Sequence, residues 1–191
     1  MERPSPDEYF MQMAKLAATR STCLRRKVGA VIVKDNHVIS TGYNGAPRGV
    51  SHCEDKGCMR ILLNVPSGTR HELCRGVHAE QNAVAQAAYF GISVKGATIY
   101  TTTFPCSLCA KILINSGITD VVYEEGYMDD LSKEILSESE LNIRHFESKK
   151  SWMYYFYWCN HNFCVIIILF GLNKISLFSF WTFYIIYIKN K

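Results

Sequence analysis

The sequence predicts an α/β protein, a three-layer α/β/α sandwich on a central mixed sheet of five strands. Two observations support this prediction. Residues 28–43 contain two apolar, β-branched runs separated by a tight turn, which is typical of an antiparallel hairpin. From residue 78 onward, helical segments alternate with short strands, which is typical of parallel strands connected by helices.

Each element follows from local sequence. Residues 7–22 form a predicted amphipathic helix because apolar residues recur at helical spacing after Pro6. Residues 28–33 and 38–43 form the predicted hairpin, with Asp35 and Asn36 as its turn. The remaining predicted elements are a helix over 78–90, a strand over 98–102, a helix over 106–116, a strand over 121–123, a helix over 129–137 and a strand over 143–146.

The chain of 191 residues changes character near residue 150. Residues 1–148 hold every predicted element and are predicted to form one domain. Residues 149–191 are aromatic and nearly uncharged, and contain all three tryptophans. The uncharged run 151–173 is long enough to cross a bilayer, which takes about 20 residues, although its polar centre would be costly there. The tail could be a membrane anchor, an apolar packing segment or a non-native extension translated from AT-rich DNA.

Composition limits the possible partners and compartments. A formal net charge of +4 is too small to indicate nucleic acid as the main partner. The polar, charged start of the chain predicts no signal peptide. The eight cysteines are better explained as thiolate ligands in a reducing compartment than as disulfides. These observations predict a cytoplasmic protein, with membrane association only if the tail is a genuine anchor.

The most informative pattern is a His-x-Glu motif, His78 with Glu80, followed by a Pro-Cys-x-x-Cys motif that contains Cys106 and Cys109. One imidazole and two thiolates are a ligand set of catalytic zinc, which leaves its fourth position to water. Glu80 is predicted to carry protons to and from that water instead of binding the ion. Alone, C-x-x-C would equally indicate a redox pair or half of a structural zinc site. Both motifs together, each at a predicted helix start, predict catalytic zinc.

Four segments resemble the deoxycytidylate (dCMP) deaminase family of the cytidine deaminase superfamily: residues 20–34, 42–49, 78–83 and 104–111. H-x-E followed by P-C-x-x-C is the pattern of zinc nucleobase deaminases. The motif G-Y-N-G-x-P-x-G in residues 42–49 is typical of deaminases that act on nucleoside monophosphates. The resemblance is greatest to bacterial-type members, including late-competence ComE-like proteins, and implies the cytidine deaminase-like fold.

The resemblance implies hydrolysis of dCMP to dUMP and ammonia, which would feed thymidylate synthesis. Glu80 would protonate N3 of cytosine and then deliver a proton to the departing amino group. Asn44 would hydrogen-bond the sugar, and the Ala79 backbone would fix the pyrimidine, with Ser107 and Tyr127 as further candidates for substrate contact. The sequence does not choose among the basic partners available to the 5′-phosphate, which are Arg25, Arg26, Lys27 and Arg48.

The resemblance also implies regulation and assembly. In regulated relatives the loop of residues 42–49 contributes to binding allosteric triphosphates. Contacts with dCTP and dTTP are therefore expected at Gly42, Tyr43, Asn44 and Gly45. Such relatives form homo-oligomers, commonly hexamers.

A second group of metal-binding residues precedes the His-x-Glu motif. Some family members carry a second, structural zinc held from this region, and a long polar loop rarely orders itself by burial alone. The expected ligands are Cys23, Cys53, His71 and Cys74, with Cys58 as the alternate. Free cysteines and a surface histidine are the other interpretation.

Two other functions remain open at this point. One is deamination of another nucleobase, such as adenosine in tRNA or free cytidine. The other is a zinc-stabilised, membrane-associated module of the competence type.

Overall fold

The computed structural model describes residues 3–126 and 130–148, and a mixed sheet of five strands lies at its centre. The strands are β1 (Gly29–Lys34), β2 (His37–Tyr43), β3 (Thr98–Thr103), β4 (Asp120–Glu125) and β5 (Asn142–His145). Their order in the sheet is β2-β1-β3-β4-β5. β1 pairs antiparallel with β2 and β3, whereas β3, β4 and β5 run parallel. The predicted mixed sheet of five strands is confirmed.

The helices in chain order are α1 (Pro6–Ala18), α2 (Cys53–Lys56), α3 (Met59–Leu62), α4 (Ala79–Tyr89), α5 (Ser107–Asn115) and α6 (Asp130–Ser137). A short 3-10 helix, His71–Leu73, lies between α3 and α4. The described residues belong to one unit, Met1–Ser148, and the predicted tail lies outside them. In the part of the chain that the structure describes, no helix has the length and apolar character needed to span a bilayer.

Successive side chains of β1 point to opposite faces of the sheet, and both faces are covered by helices. In β1, Ala30 and Ile32 pack into the core that contains residues of α4, α5 and α6, whereas Val31 and Val33 pack against α1. All four side chains are almost completely buried. A strand with both faces buried requires a helical layer on each side, because successive side chains point to opposite faces of the sheet. The predicted α/β/α sandwich is therefore confirmed.

The hairpin turn is also as predicted. Asp35 and Asn36 both have positive φ, 50° and 61°, as a two-residue type I′ turn requires. Asparagine and aspartate tolerate this conformation better than most other residues. Lys34 pairs with His37 directly across the turn.

The first helix ends earlier than predicted. α1 stops at Ala18, whereas the sequence indicated about residue 22. The backbone N–H groups of Thr19, Arg20 and Ser21 bond to carbonyls three residues back, which tightens the last turn. The Ser21 hydroxyl then lies 2.6 Å from Asn44 Oδ1, so the chain turns toward the end of β2. Apolar spacing alone could not reveal this contact.

Two helices rest directly on glycines of the hairpin. A Cβ atom at Gly29 would lie 2.0 Å from the carbonyl oxygen of Ala14 in α1. A Cβ atom at Gly42 would lie 2.2 Å from the carbonyl oxygen of Ala79, the first residue of α4. Both atoms belong to backbone, which cannot move away as a flexible side chain can. These glycines therefore set the distance between the hairpin and both helical layers.

We predict that Gly42→Ala displaces the start of α4. Overpacking typically costs about 1–3 kcal/mol, and a backbone clash should reach at least the upper end of this range. Chemical unfolding would measure the loss, and metal content would report displacement of the helix start. Gly76→Ala is the matched control, because its Cβ would meet no atom closer than 3.5 Å. Equal stability of the two variants would contradict the prediction.

Candidate metal centre

Two helix starts meet at the predicted metal site. His78 is the N-cap of α4 and Cys106 is the N-cap of α5, both with extended backbone. Cys109 lies in the first turn of α5. The backbone N–H of His78 donates to Gln81 Oε1 at 3.1 Å, which helps to fix the first turn of α4. The positive ends of both helix dipoles therefore favour thiolates here.

The three predicted ligands have the spacing of a tetrahedral site. His78 Nδ1 lies 3.3 Å from both the Cys106 and the Cys109 sulfur, and the two sulfurs are 3.8 Å apart. With Zn–S bonds of about 2.3 Å and Zn–N bonds of about 2.0 Å, a tetrahedron has edges of about 3.8 Å between sulfurs and about 3.5 Å between nitrogen and sulfur. Zinc therefore fits these residues with shifts of only a few tenths of an ångström.

Glu80 lies beside this site in the interior. Its side chain is buried, and its Oε2 is 3.5 Å from the Cys109 sulfur. Burial raises the pKa of the Glu80 carboxyl, because desolvation disfavours the charged form. A carboxyl with a raised pKa can hold a proton and release it again, as a general acid and base must.

The hydrogen bond between the two thiols shifts their pKa values in opposite directions. The hydrogen bond from Cys109 lowers the pKa of Cys106 to about 3. The same hydrogen bond raises the pKa of Cys109, and burial adds to this effect. A divalent ion would replace the thiol proton of Cys109, because both sulfurs must be thiolates to bind it.

His71 lies next to the first metal site. Its ring packs edge-on against the His78 ring, with centroids 5.0 Å apart. Ligand atoms of His71, His78 and Cys106 all lie within 4.8 Å of one another. Both ring nitrogens of His71 are buried without a hydrogen-bond partner among the described residues. The sequence placed His71 in the second zinc site, and that assignment stays a prediction.

In the second group of cysteines, Cys53 is buried at the start of α2. Two contacts bring the flanking segments together: Thr22 Oγ1 lies 3.1 Å from His52 Nδ1, and Arg75 Nη1 donates to the Ser51 carbonyl at 2.9 Å. Burial, and after it the neighbouring thiols, raise the pKa of Cys53. The neighbouring thiols are Cys58, Cys74 and Cys23.

One cavity of about 150 Å³ connects these features. Its walls include His78, Glu80 and Cys106 together with His71, Cys53, Cys23 and Cys74. Of the predicted substrate contacts, Asn44 and Ala79 also line the cavity. Ser107 is the first residue of α5, next to Cys106. Tyr127 lies outside the described residues.

The four predicted phosphate partners lie in different places in the structure. Arg25 and Arg26 line the cavity. Lys27 lines a different cleft, beside α1 and the end of β4, and the Arg48 guanidinium lies over the Tyr89 ring at 5.0 Å. Arg60 also lines the cavity, and the sequence interpretation overlooked it.

The loop after β2 has a structural role that the motif did not reveal. Asn44 Oδ1 accepts from the Val28 backbone N–H at 2.8 Å, and Asn44 Nδ2 donates to the Arg26 carbonyl at 2.8 Å. Gly45 and Val77 exchange two backbone hydrogen bonds, which position the residue before His78. One Asn44 N–H remains for a ligand, because an amide NH₂ has two donors.

Comparison with known proteins assigns the family. Residues 4–125 match the family described as "Cytidine and deoxycytidylate deaminase zinc-binding region". The chain belongs to this family. Its matched segment contains all three predicted zinc ligands and Glu80.

Two relatives in sequence support a narrower resemblance. The chain is 41% identical to a deoxycytidylate deaminase of Saccharomyces cerevisiae over 145 residues, which are 75% of this chain and 46% of the yeast protein. It is 45% identical to ComE operon protein 2 of Bacillus subtilis over 127 residues, which are 66% of this chain and 63% of that protein. The chain thus spans about half the length of the yeast relative.

A solved structure supports the fold. The dCMP deaminase of cyanophage S-TIM5, in complex with dCMP and dUMP, superposes with a TM-score of 0.62 at 27% identity. The superposition covers 76% of this chain and 100% of the phage protein. The predicted resemblance to dCMP deaminases, including the competence-type member, is confirmed.

We predict that His78→Ala and Cys106→Ala each lose one zinc per chain, because each variant removes one of only three protein ligands. Glu80→Gln should retain that zinc, because its side chain is not a ligand. Metal analysis of purified proteins would measure zinc per chain, with His37→Ala, at an exposed position of β2, as the control. Zinc loss in Glu80→Gln comparable to that in His78→Ala would contradict these roles.

Proposed function

We propose that the chain is a zinc-dependent dCMP deaminase that hydrolyses dCMP to dUMP and ammonia. One observation carries the proposal: three residues with the spacing of a catalytic zinc site lie against a buried carboxyl in an open cavity. The dCMP and dUMP bound in the phage relative support this choice of substrate.

Different residues of the chain would bind the zinc and transfer the protons. Zinc, when bound by His78, Cys106 and Cys109, would lower the pKa of water toward neutrality and so supply a nucleophile. Glu80 would take one proton from that water and give it to N3 of the cytosine ring as the resulting hydroxide adds to C4. It would then take the second proton from the added hydroxyl group and pass it to the amino group, which leaves as ammonia. Burial suits both steps, because it keeps the carboxyl free of competing bulk water.

The loop after β2, which also positions the start of α4, would help to position the substrate. The remaining N–H of Asn44 would donate to the sugar, and the Ala79 backbone would contact the pyrimidine. Both residues belong to segments held by backbone contacts, which favours a preorganised site. Ser107 and Tyr127 remain candidates for further contacts.

The experiment follows the ultraviolet absorbance of purified protein with dCMP, CMP and deoxycytidine, with and without a chelator. We expect turnover of dCMP that a chelator abolishes. Glu80→Gln should lower kcat by at least about 10²–10⁴-fold while zinc is retained, because it removes only the proton carrier. Glu138→Gln, at an exposed position after α6, is the matched control. Wild-type turnover in Glu80→Gln would exclude this mechanism.

We also propose a second, structural zinc held by the cysteines around Cys53. The support is that Cys23, Cys53 and Cys74 line one cavity together with His71, and that the segment from Cys53 to Cys74 contains only short helices. A metal would supply the ordering free energy that so little regular structure cannot. The fourth ligand would be either Cys58 or His71, because His71 also faces the first site.

The expected stoichiometry is two zincs per chain in wild type. Cys53→Ser should lower it to one and reduce the thermal midpoint, while Cys106→Ala should lose the other zinc. Cys58→Ser and His71→Ala, compared side by side, would identify the fourth ligand by which of them loses metal. One zinc per chain in freshly purified wild type, without chelator, would remove the second site.

Three expectations from sequence stay predictions. They are regulation by dCTP and dTTP, a hexameric assembly, and cytoplasmic location. Of the four residues expected to contact effectors, Gly42 and Gly45 are buried and Tyr43 is exposed. An effector contact at Gly42 would have to form without displacing α4.

A further inference from the structure

The Asn44 carboxamide is held at both of its ends. Its Oδ1 accepts from the Val28 backbone N–H at 2.8 Å and from the Ser21 hydroxyl at 2.6 Å. Its Nδ2 donates to the Arg26 carbonyl at 2.8 Å. A carboxamide turned by 180° would bring its NH₂ against two donors and its oxygen against a carbonyl oxygen, so all three contacts would become repulsive. The network therefore fixes the orientation of the amide.

Among the described residues, Ser21 supplies the only partner side chain in this network. Its hydroxyl also lies 2.9 Å from the Asn44 carbonyl oxygen, so both acceptors of its single proton belong to Asn44. The Cys23 backbone N–H donates to the Ser21 oxygen at 3.2 Å, which leaves the hydroxyl proton directed at Asn44. Ser21 is only 4% exposed, and its own N–H donates to the Ala18 carbonyl at the end of α1. The hydroxyl is therefore fixed as firmly as the amide that it contacts.

The orientation of this amide matters because Asn44 lines the cavity that also contains the predicted metal site. One Nδ2 proton is bonded to the Arg26 carbonyl, and the other remains to be donated. The sugar of the proposed substrate has one hydroxyl, at C3′, whose oxygen accepts such a proton. An amide held in the opposite orientation would present an acceptor to the sugar instead of a donor.

We propose that Ser21 is a positioning residue of the substrate site. Its hydroxyl holds the Asn44 carboxamide so that an N–H faces the sugar and donates to the 3′-hydroxyl. This inference rests on the proposed deaminase function and on the sugar contact proposed for Asn44. Ser21 is not among the residues of the cavity wall, so it acts through Asn44 and not by touching the substrate. A contact so far from the reacting atoms stabilises substrate and transition state alike, so its loss raises KM more than it lowers kcat.

The first test measures kcat and KM of Ser21→Ala on dCMP and on 2′,3′-dideoxycytidine 5′-monophosphate, which lacks the 3′-hydroxyl. We expect KM for dCMP to rise about three- to tenfold, the effect of one hydrogen bond, with kcat nearly unchanged. KM for the dideoxy nucleotide should equal its wild-type value, because that substrate never makes the contact. Ser21→Thr keeps the hydroxyl and should restore KM for dCMP. An equal rise for both nucleotides, or no rise for dCMP, would overturn the positioning role.

Ser40→Ala is the matched control, because Ser40 is also buried and its hydroxyl donates to a backbone carbonyl, that of Ala83, at 2.7 Å. Both alanine variants should lower the thermal midpoint, since each loses a buried hydrogen bond. Only Ser21→Ala should raise KM, and zinc per chain should match wild type in both. A purely structural role for Ser21 would instead lower kcat for both nucleotides or reduce zinc per chain, because Cys23 is two residues away.

The second test needs no turnover and follows the side-chain NH₂ signal of Asn44 in nitrogen-15 NMR spectra. Its absence from the spectrum of Asn44→Asp identifies the signal. Exchange of these protons with water should be faster in Ser21→Ala than in wild type and in Ser40→Ala, because the amide has lost one of its partners. Unchanged exchange in Ser21→Ala would show that Ser21 does not hold the amide, and would overturn the inference.

The two tests distinguish failure of this inference from failure of the proposed function. Wild type that does not deaminate dCMP would exclude the proposed function, while the exchange measurement would still decide whether Ser21 holds the carboxamide. Wild type that deaminates dCMP, with Ser21→Ala equal to Ser40→Ala in KM, would overturn the positioning role alone.

Discussion

The convergence of two helix N-termini on one point is the constraint on which the rest of the structure depends. His78 at the start of α4, with Cys106 and Cys109 at the start of α5, must bring a nitrogen and two sulfurs to within 3.3–3.8 Å of one another. A shift of either helix by one ångström would break a tetrahedral set. Parallel pairing of β3 with β4 fixes where α5 begins. Gly42 of the hairpin fixes the distance between the hairpin and α4. The sheet thus acts as the frame that holds the ligands.

Charge balance explains why such a polar interior can exist. Two thiolates would neutralise a divalent zinc, and Glu80 can remain protonated because burial raises its pKa. The remaining imbalance is positive, since Arg25 and Arg60 have no carboxylate partner in the described chain.

The sequence predicted those features that depend on local periodicity and on motif chemistry. The hairpin with its Asp35-Asn36 turn, the sheet with two helical layers and the zinc ligands at helix starts all follow from patterns within a few residues. The end of α1 did not follow, because Ser21 contacts Asn44, 23 residues away. Arg60 was overlooked for the same reason. From sequence alone, an arginine on a short helix is expected to be exposed to solvent. Only the packing of the segment between β2 and α4 shows that Arg60 is buried.

That segment joins the two predicted metal sites. Cys53 begins α2, Cys58 is the N-cap of α3, and Arg60 is the second residue of α3. A metal bound to these cysteines would fix the start of α3 and, with it, the direction of the Arg60 side chain. His71 lies in the same segment and contacts His78, so the loop touches the first site as well. A structural ion here would therefore act on the first site as well as on stability, because it would order the loop from which His71 contacts His78.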